Sequence, residues 1–254
     1  VTDSFIKVRR DGGVTHIEMN RPDKRNAITV AMYDAMAGAL EEAEHDETVV
    51  VLISGTGTSF CGGNDLADFM ANRPVHRPEG PTAPVFRFLR AISTSSRILV
   101  AAVQGPAVGI GTTMLLHCDL VVAAEDTTLH MPFVDLAIVP EAASSLLVGQ
   151  VVGHQRASAL LLLGEKLDAR QALRLGLVNQ VVAPGAALAA AQAIAARLMG
   201  KPRSALLATK RLMKSKQMDV AARIEEENQV FGAQLKTPDF AAVVEHFFAT
   251  RIRA

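Results

Sequence analysis

Two glycine-rich clusters carry the clearest chemical potential in this sequence. One, Ser59-Phe60-Cys61-Gly62-Gly63-Asn64-Asp65-Leu66, follows an apolar β-branched run, and the other, Gly105-Pro106-Ala107-Val108-Gly109-Ile110-Gly111, follows a second such run. Small residues where a strand gives way to a loop or helix leave backbone N–H groups free to point at a ligand, and two such turns can make one oxyanion hole. The same glycines would equally let a helix press close to a sheet, and pattern alone leaves both readings open. Other chemistries are excluded more directly. Gly55-Thr56-Gly57 meets Phe60 where a dinucleotide fingerprint needs its third glycine; no lysine follows a glycine run as in a phosphate loop; and there is no Gly-x-Ser-x-Gly nucleophile elbow. His117-Cys118-Asp119 has the residue types of a nucleophile cluster or metal site, but consecutive residues at a helix-to-strand junction point in different directions, which favours packing. Cys61 reads in the same way, as a packed residue, while for His130 a place lining a pocket and a hydrogen-bonded place in the core both stay open.

The elements that must position these clusters follow from periodicity. Phe5 to Arg10 and Val14 to Met19 flank Asp11-Gly12-Gly13 and predict a hairpin. A polar loop, Asn20 to Asn26, leads into helical spacing from Val30 to Glu44. Val49 to Ile53, Ile98 to Val103 and Leu120 to Ala124 are continuous apolar runs, as expected of parallel strands buried on both faces, with a helix expected over Thr112 to His117. The proline-studded stretch from Asn72 to Pro84 predicts a mobile loop. No strand signal remains after Val182; Pro184 to Met199, Pro202 to Lys216 and the segment from Thr237 read as helices.

Composition limits the partners. The chain has 254 residues, 49% apolar, with 26 basic and 26 acidic side chains, so it offers no net field to gather nucleic acid or an anionic membrane surface. No apolar stretch approaches the roughly 20 residues that span a bilayer, and two cysteines make neither a disulfide framework nor a zinc site. The expectation is a cytoplasmic α/β protein without nucleic-acid or membrane partners and without a metal.

Asn20-Arg21-Pro22 with Asn26-Ala27-Ile28, the two glycine clusters, and Leu173-x-x-Gly176-Leu177-Val178 together resemble the crotonase, or enoyl-CoA hydratase/isomerase, superfamily in order and spacing over nearly the whole chain. The resemblance implies a crotonase-like spiral of strand-strand-helix repeats over residues 1–185. A C-terminal helical extension over 186–254, used in trimerisation, would follow. It further implies homo-trimers or hexamers and acyl-CoA thioester substrates, with coenzyme A entering as part of the substrate and no separate cofactor. By motif position the oxyanion would be held by the backbone amides of Asn64 and Ile110.

The two glutamates of the family's hydratases are replaced here by Thr113 and Phe133, neither of which exchanges a proton near neutral pH. The stretch from Met131 to Ser145 instead resembles the peroxisomal-type Δ3-Δ2-enoyl-CoA isomerases, which implies Glu141 as a single acid/base in a pocket made apolar by Phe133, Leu136 and Ile138. The bland alternative is that Glu141 merely favours the start of the helix that follows. Ligand contacts implied by the same resemblance are Lys24, Arg25, Gly62, Leu66 and Phe133, with Phe248 and Arg251 reaching the coenzyme of an adjacent subunit. Hydration from Glu141 and an ordered water, or acyl-CoA binding without turnover, are the competing functions.

Overall fold

The computed structural model describes residues 5–71, 83–214 and 217–251, with the backbone alone at 217, 218, 250 and 251. The loop expected over residues 72–84 lies, apart from its last two residues, outside the described residues.

The predicted hairpin is present as β1 (Ile6–Asp11) and β2 (Val14–Met19), turned at Gly12-Gly13, where both glycines have positive φ. From β2 onward every neighbour in the larger sheet is parallel: β3 (Val50–Gly55), β4 (Ile98–Val103), β6 (Leu120–Ala124) and β9 (Gln180–Val182), in the order β1-β2-β3-β4-β6-β9. A smaller sheet joins β5 (Pro106–Val108), β7 (Thr128–His130) and β8 (Leu167–Asp168). Parallel bridges between Cys61 and Ala107 and between Ile28 and Asn64 run on from it. The chain therefore repeats one path: up a strand of the large sheet, then across into the second layer. That repetition makes the spiral.

The continuous apolar runs have their explanation in two cores. Alternate residues of β3 and β4 serve opposite faces: Val51, Ile53, Leu99, Ala101 and Val103 join the main core, while Val50, Leu52, Val100 and Ala102 join a second. The main core is covered by α1 (Val30–His45) and α3 (Pro84–Thr94). The second is closed by α8 (Ala187–Met199), whose Ala187, Ala191 and Ala195 repeat every four residues and let the helix lie close to the sheet. Thus α8, expected to open the C-terminal extension, lies against the sheet.

Three further helices follow: α9 (Arg203–Met213), α10 (Gln217–Gln234) and α11 (Pro238–Arg251). A buried pair fastens α9, where Lys210 Nζ lies 2.8 Å from the Asp119 carboxylate and also donates to the Arg97 carbonyl. Helix α10 packs against α3 and α5 (Ser144–Val152), and α11 against the 3-10 turn Val134–Leu136. A third apolar cluster of Leu235, Phe240 and Val244 packs with Phe69, Met70, Ile138, Phe231 and Phe248, so the C-terminal helices fold onto their own chain. Among the described residues, no helix is long and apolar enough to cross a membrane.

Candidate active site

Both glycine clusters lie in the second layer, side by side. The Cys61–Ala107 bridge uses Cys61 N–H to Pro106 O (3.2 Å) and Val108 N–H to Cys61 O (2.9 Å). The Ile28–Asn64 bridge uses Ile28 N–H to Gly63 O (2.8 Å) and Asp65 N–H to Ile28 O (2.9 Å), which leaves the Asn64 amide out of the ladder. In the second cluster Gly109 takes φ 54° and ψ −121°, a conformation that favours glycine, and turns the chain into the short helix α4 (Ile110–Thr113). The Ile110 N–H opens that helix with no carbonyl behind it. Among the described residues, neither the Asn64 nor the Ile110 amide donates a hydrogen bond. Close packing operates as well: a Cβ on Gly111 would stand 2.7 Å from the Cys61 carbonyl oxygen. The two readings of the glycines thus describe different glycines.

Asn64 is held from below by Tyr33, the chain's only tyrosine, fully buried on α1, whose hydroxyl donates to Asn64 Oδ1 at 2.5 Å. Burial pushes the Tyr33 hydroxyl up, and the charge of Glu141 adds to the effect. The Cys61 thiol is pushed up to about 12 by burial, against a weak hydrogen bond to Gly63 O and with Glu141 reinforcing it, so it offers no nucleophile. The charge of Glu141 thus acts on two groups at the first glycine cluster, the hydroxyl that holds Asn64 and the Cys61 thiol.

Glu141 is 6% exposed, and its carboxyl has no hydrogen-bond partner among the described residues. Burial, and next the nearby carboxylate of Glu227, raise it to about 8. The turn behind it is strained, because Ala142 (φ 60°) and Ala143 (φ 55°) are both left-handed, which non-glycine residues rarely adopt. Several groups pin it: Ser144 N–H donates to Glu141 O (3.0 Å), the His117 ring bonds Ala142 O through Nε2 (2.8 Å), and Glu227 accepts Ala143 N–H (2.7 Å) and Ser145 N–H (3.0 Å). Since a carbonyl only accepts, His117 carries its proton on Nε2 there, and burial lowers its pKa to about 4. The α5 start is therefore satisfied by Glu227.

Glu227 was not singled out from sequence. Its signal is positional: Val220, Ile224, Glu227 and Phe231 share the apolar spacing of α10, so one carboxylate of Glu225-Glu226-Glu227 stands where a hydrophobic residue would otherwise lie. Tyr33 gave no signal beyond its place in the helical pattern. Of the apolar residues expected around Glu141, Phe133 is buried in the main core, to which Ala142 and Ala143 also belong, and Ile138 packs against that core.

The implied ligand contacts fall into two groups. Lys24 and Arg25 are exposed, and Arg25 O accepts Gly62 N–H at 2.7 Å, so the loop stands directly against the first cluster. Leu66 opens α2 (Leu66–Ala71), half-buried, where Asp65 caps the helix through Ala67 and Asp68 and pairs with Arg21 at 2.6 Å. Phe248 lies in the third cluster of its own chain, and Arg251 ends α11 with its side chain outside the described residues. Thr113 is wholly buried with an unpartnered hydroxyl, as is Ser144. His117-Cys118-Asp119 diverges as expected: to Ala142, to Met114 and to Lys210 respectively.

A family profile described as Enoyl-CoA hydratase/isomerase matches residues 9–252. The chain is 41% identical to enoyl-CoA delta isomerase 2 of Rattus norvegicus over 178 residues, which are 69% of this chain and 46% of that protein. It is 31% identical to 1,2-epoxyphenylacetyl-CoA isomerase of Escherichia coli (strain K12) over 259 residues, 97% of this chain and 96% of that one. Among solved structures, an enoyl-CoA hydratase/isomerase from Pseudoalteromonas atlantica T6c superposes with a TM-score of 0.91 at 37% identity, covering 97% of this chain and 98% of that chain. Pseudomonas aeruginosa OdaA does so with 0.91 at 40%, covering 96% and 99%. The chain spans about half the length of the delta isomerases it matches.

Proposed function

Since the chain belongs to the enoyl-CoA hydratase/isomerase family, we propose that it acts on acyl-CoA thioesters as a Δ3-Δ2-enoyl-CoA isomerase with Glu141 as its single acid/base. The observation that carries this reading is the division of labour between two buried carboxyls. Glu227 takes the amides at the start of α5, while the Glu141 carboxyl is unpartnered, buried and raised to about 8. The helix-start role that would have explained Glu141 away is taken by another residue.

The chemistry follows from one proton carrier and two amides. Ionised Glu141 removes a proton from the α carbon of a 3-enoyl thioester, and the electron pair spreads through the dienolate onto the thioester oxygen. The Asn64 and Ile110 amides receive that charge without side-chain reorganisation. Protonated Glu141 returns the proton to the γ carbon, giving the conjugated 2-enoyl product with no net change in atoms. A carboxyl near 8 suits both halves, basic enough to take the proton and acidic enough to give it back. Lys24 and Arg25, exposed beside Gly62, are suited to the phosphates of coenzyme A, with Leu66 and Phe133 lining the ligand.

Thr113 and Phe133, in place of the two glutamates of the hydratases, support isomerisation over hydration. The same reading includes assembly into trimers or pairs of trimers with Phe248 and Arg251 near a subunit boundary. Exposed Leu162, Leu163, Val134, Val151 and Leu173 supply apolar surface for assembly. It also includes a cytoplasmic setting in which the two free cysteines stay reduced.

The test is to offer 3-enoyl-CoA and 2-enoyl-CoA separately, following conjugation and hydration, and to repeat both with Glu141→Gln. Conjugated product from the first substrate, reduced about a thousandfold or more in the variant, is expected. Hydroxyacyl product would replace the reading with hydration, and tight binding without either product with a non-catalytic acyl-CoA-binding role.

A further inference from the structure

We infer that Glu227, on α10, is a positioning residue for Glu141: its carboxylate holds the turn that presents the acid/base by accepting the Ala143 and Ser145 amides, so that docking of α10 completes the site. The inference deepens the isomerase reading and rests on it.

A helix start ordinarily finds its acceptor locally, in a serine, threonine, aspartate or asparagine at the cap. Here the cap position holds Ala143, which has nothing to accept with, and the acceptor comes from 84 residues further along the chain. Both oxygens of Glu227 are used, one at 2.7 Å to Ala143 and one at 3.0 Å to Ser145. Those amides sit two and four residues beyond Glu141, on either side of the left-handed pair's exit. Two consecutive non-glycine residues in that conformation persist only where surrounding contacts over-determine them. His117 supplies one such contact through Ala142 O, and Glu227 supplies two. Without Glu227, two buried N–H groups beside the acid/base would lose their acceptors, and the turn would gain by relaxing to an ordinary helix start.

Glu227 also has an electrostatic consequence. Burial raises the Glu227 carboxyl, the Ser145 and Ala143 amides and Arg223 oppose that, and with both oxygens occupied it is not the proton carrier; once ionised, its charge opposes ionisation of Glu141. The charged and titratable groups around the two are few. Arg223 lies one turn back on α10, paired with Glu226 at 3.3 Å; Arg87 and Arg90 are the charges of α3, with Arg87 committed to Asp34 and Glu41; α5 has none. His117, Tyr33 and Cys61 face the Glu141 side.

The experiment uses the full chain and Glu227→Gln, which keeps one acceptor and removes the charge, beside Glu227→Ala, which removes both. For the glutamine variant kcat should fall about tenfold, and for the alanine variant about a hundredfold, with KM for 3-enoyl-CoA within about twofold of wild type. The acid limb of the glutamine variant's kcat should move down by about one pH unit, because Glu141 ionises more easily without the neighbouring charge. Hydrogen exchange over residues 141–148 should quicken in the same protein. A purely structural glutamate would alter stability and leave the pH limb in place. Wild-type kcat with an unmoved limb in Glu227→Gln overturns the inference, whether or not Glu227→Ala folds. A wild-type chain inactive on 3-enoyl-CoA would defeat the isomerase reading separately. In that case, quickened exchange over 141–148 in Glu227→Gln supports the positioning role and unchanged exchange overturns it.

Discussion

Replacing Glu141 with glutamine should make the protein more stable at alkaline pH while removing the proposed proton carrier. The Glu141 carboxyl is raised from 4.5 to about 8 in the folded chain, so between those values the folded state keeps a proton that the unfolded state has already lost. The sign follows directly: stability from this group is fully present below its unfolded value, declines as pH rises, and is lost once pH passes about 8. At about 1.4 kcal/mol per unit of difference, wild type gives up about 4 kcal/mol between about pH 5 and about pH 9 relative to a variant with nothing to titrate there. Urea unfolding of both proteins at the two pH values, at one fixed protein concentration so that assembly does not enter, measures this. With a slope on the order of 2 to 3 kcal/mol per molar, the gap between the two midpoints should widen by about 1.5 M at the higher pH. A gap that is the same at both would refute the reasoning. It would mean that Glu141 ionises as readily folded as unfolded, and that its burial does nothing for its basicity.

The rate should carry the same titration: kcat/KM is expected to rise about tenfold per pH unit up to about pH 8 and then level off, since only ionised Glu141 takes a proton, and a flat profile over that range would count against it as base. Tyr33→Phe leaves Asn64 Oδ1 without its buried donor and should cost about 1 to 2 kcal/mol of stability together with about a tenfold slower proton abstraction; wild-type values for both would show the hydroxyl to be idle. His117 is held neutral, its pKa lowered from 6.5 to about 4, so its contribution is present above 6.5 and is lost as pH falls through about 4. That amounts to about 3 kcal/mol of acid sensitivity. His117→Gln, which retains an N–H for Ala142 O, should flatten that loss, and an unchanged acid midpoint would assign the acid sensitivity elsewhere.

What the sequence disclosed was set by how far apart the cooperating residues lie. The strands β3, β4 and β6 were legible because burial on both faces demands an unbroken apolar run, and Val49 to Ile53 cannot satisfy two cores in any other way. The second layer was not, since β5, β7 and β8 hold three, three and two residues, too short for any period to register. The expected helix over Thr112 to His117 is instead split into α4 and a 3-10 turn, which frees the His117 ring to reach Ala142. The glycine clusters were legible as turns, but which glycine serves a backbone conformation and which a close approach depends on what lies opposite. Glu227 was hidden for the same reason: nothing within α10 says that its apolar face meets two orphan amides on a turn 84 residues earlier.

The two halves of the candidate site are built by opposite strategies, and the proposed reaction explains why. Charge on the thioester oxygen appears at one point, so its donors gain from being immobile, and the Asn64 and Ile110 amides are backbone groups, one flanked by the Ile28–Asn64 bridge and the other opening α4. A double-bond shift needs one carboxyl to meet two different carbons, so its side chain gains from having no hydrogen bond to break on the way. Glu141 has that property, with its carboxyl unpartnered while the backbone beneath it is pinned by His117, Ser144 and Glu227. Fixing the carboxyl directly would secure the first proton transfer at the expense of the second. Fixing the turn instead keeps the pivot in place for both, and this places the necessary strain at Ala142 and Ala143.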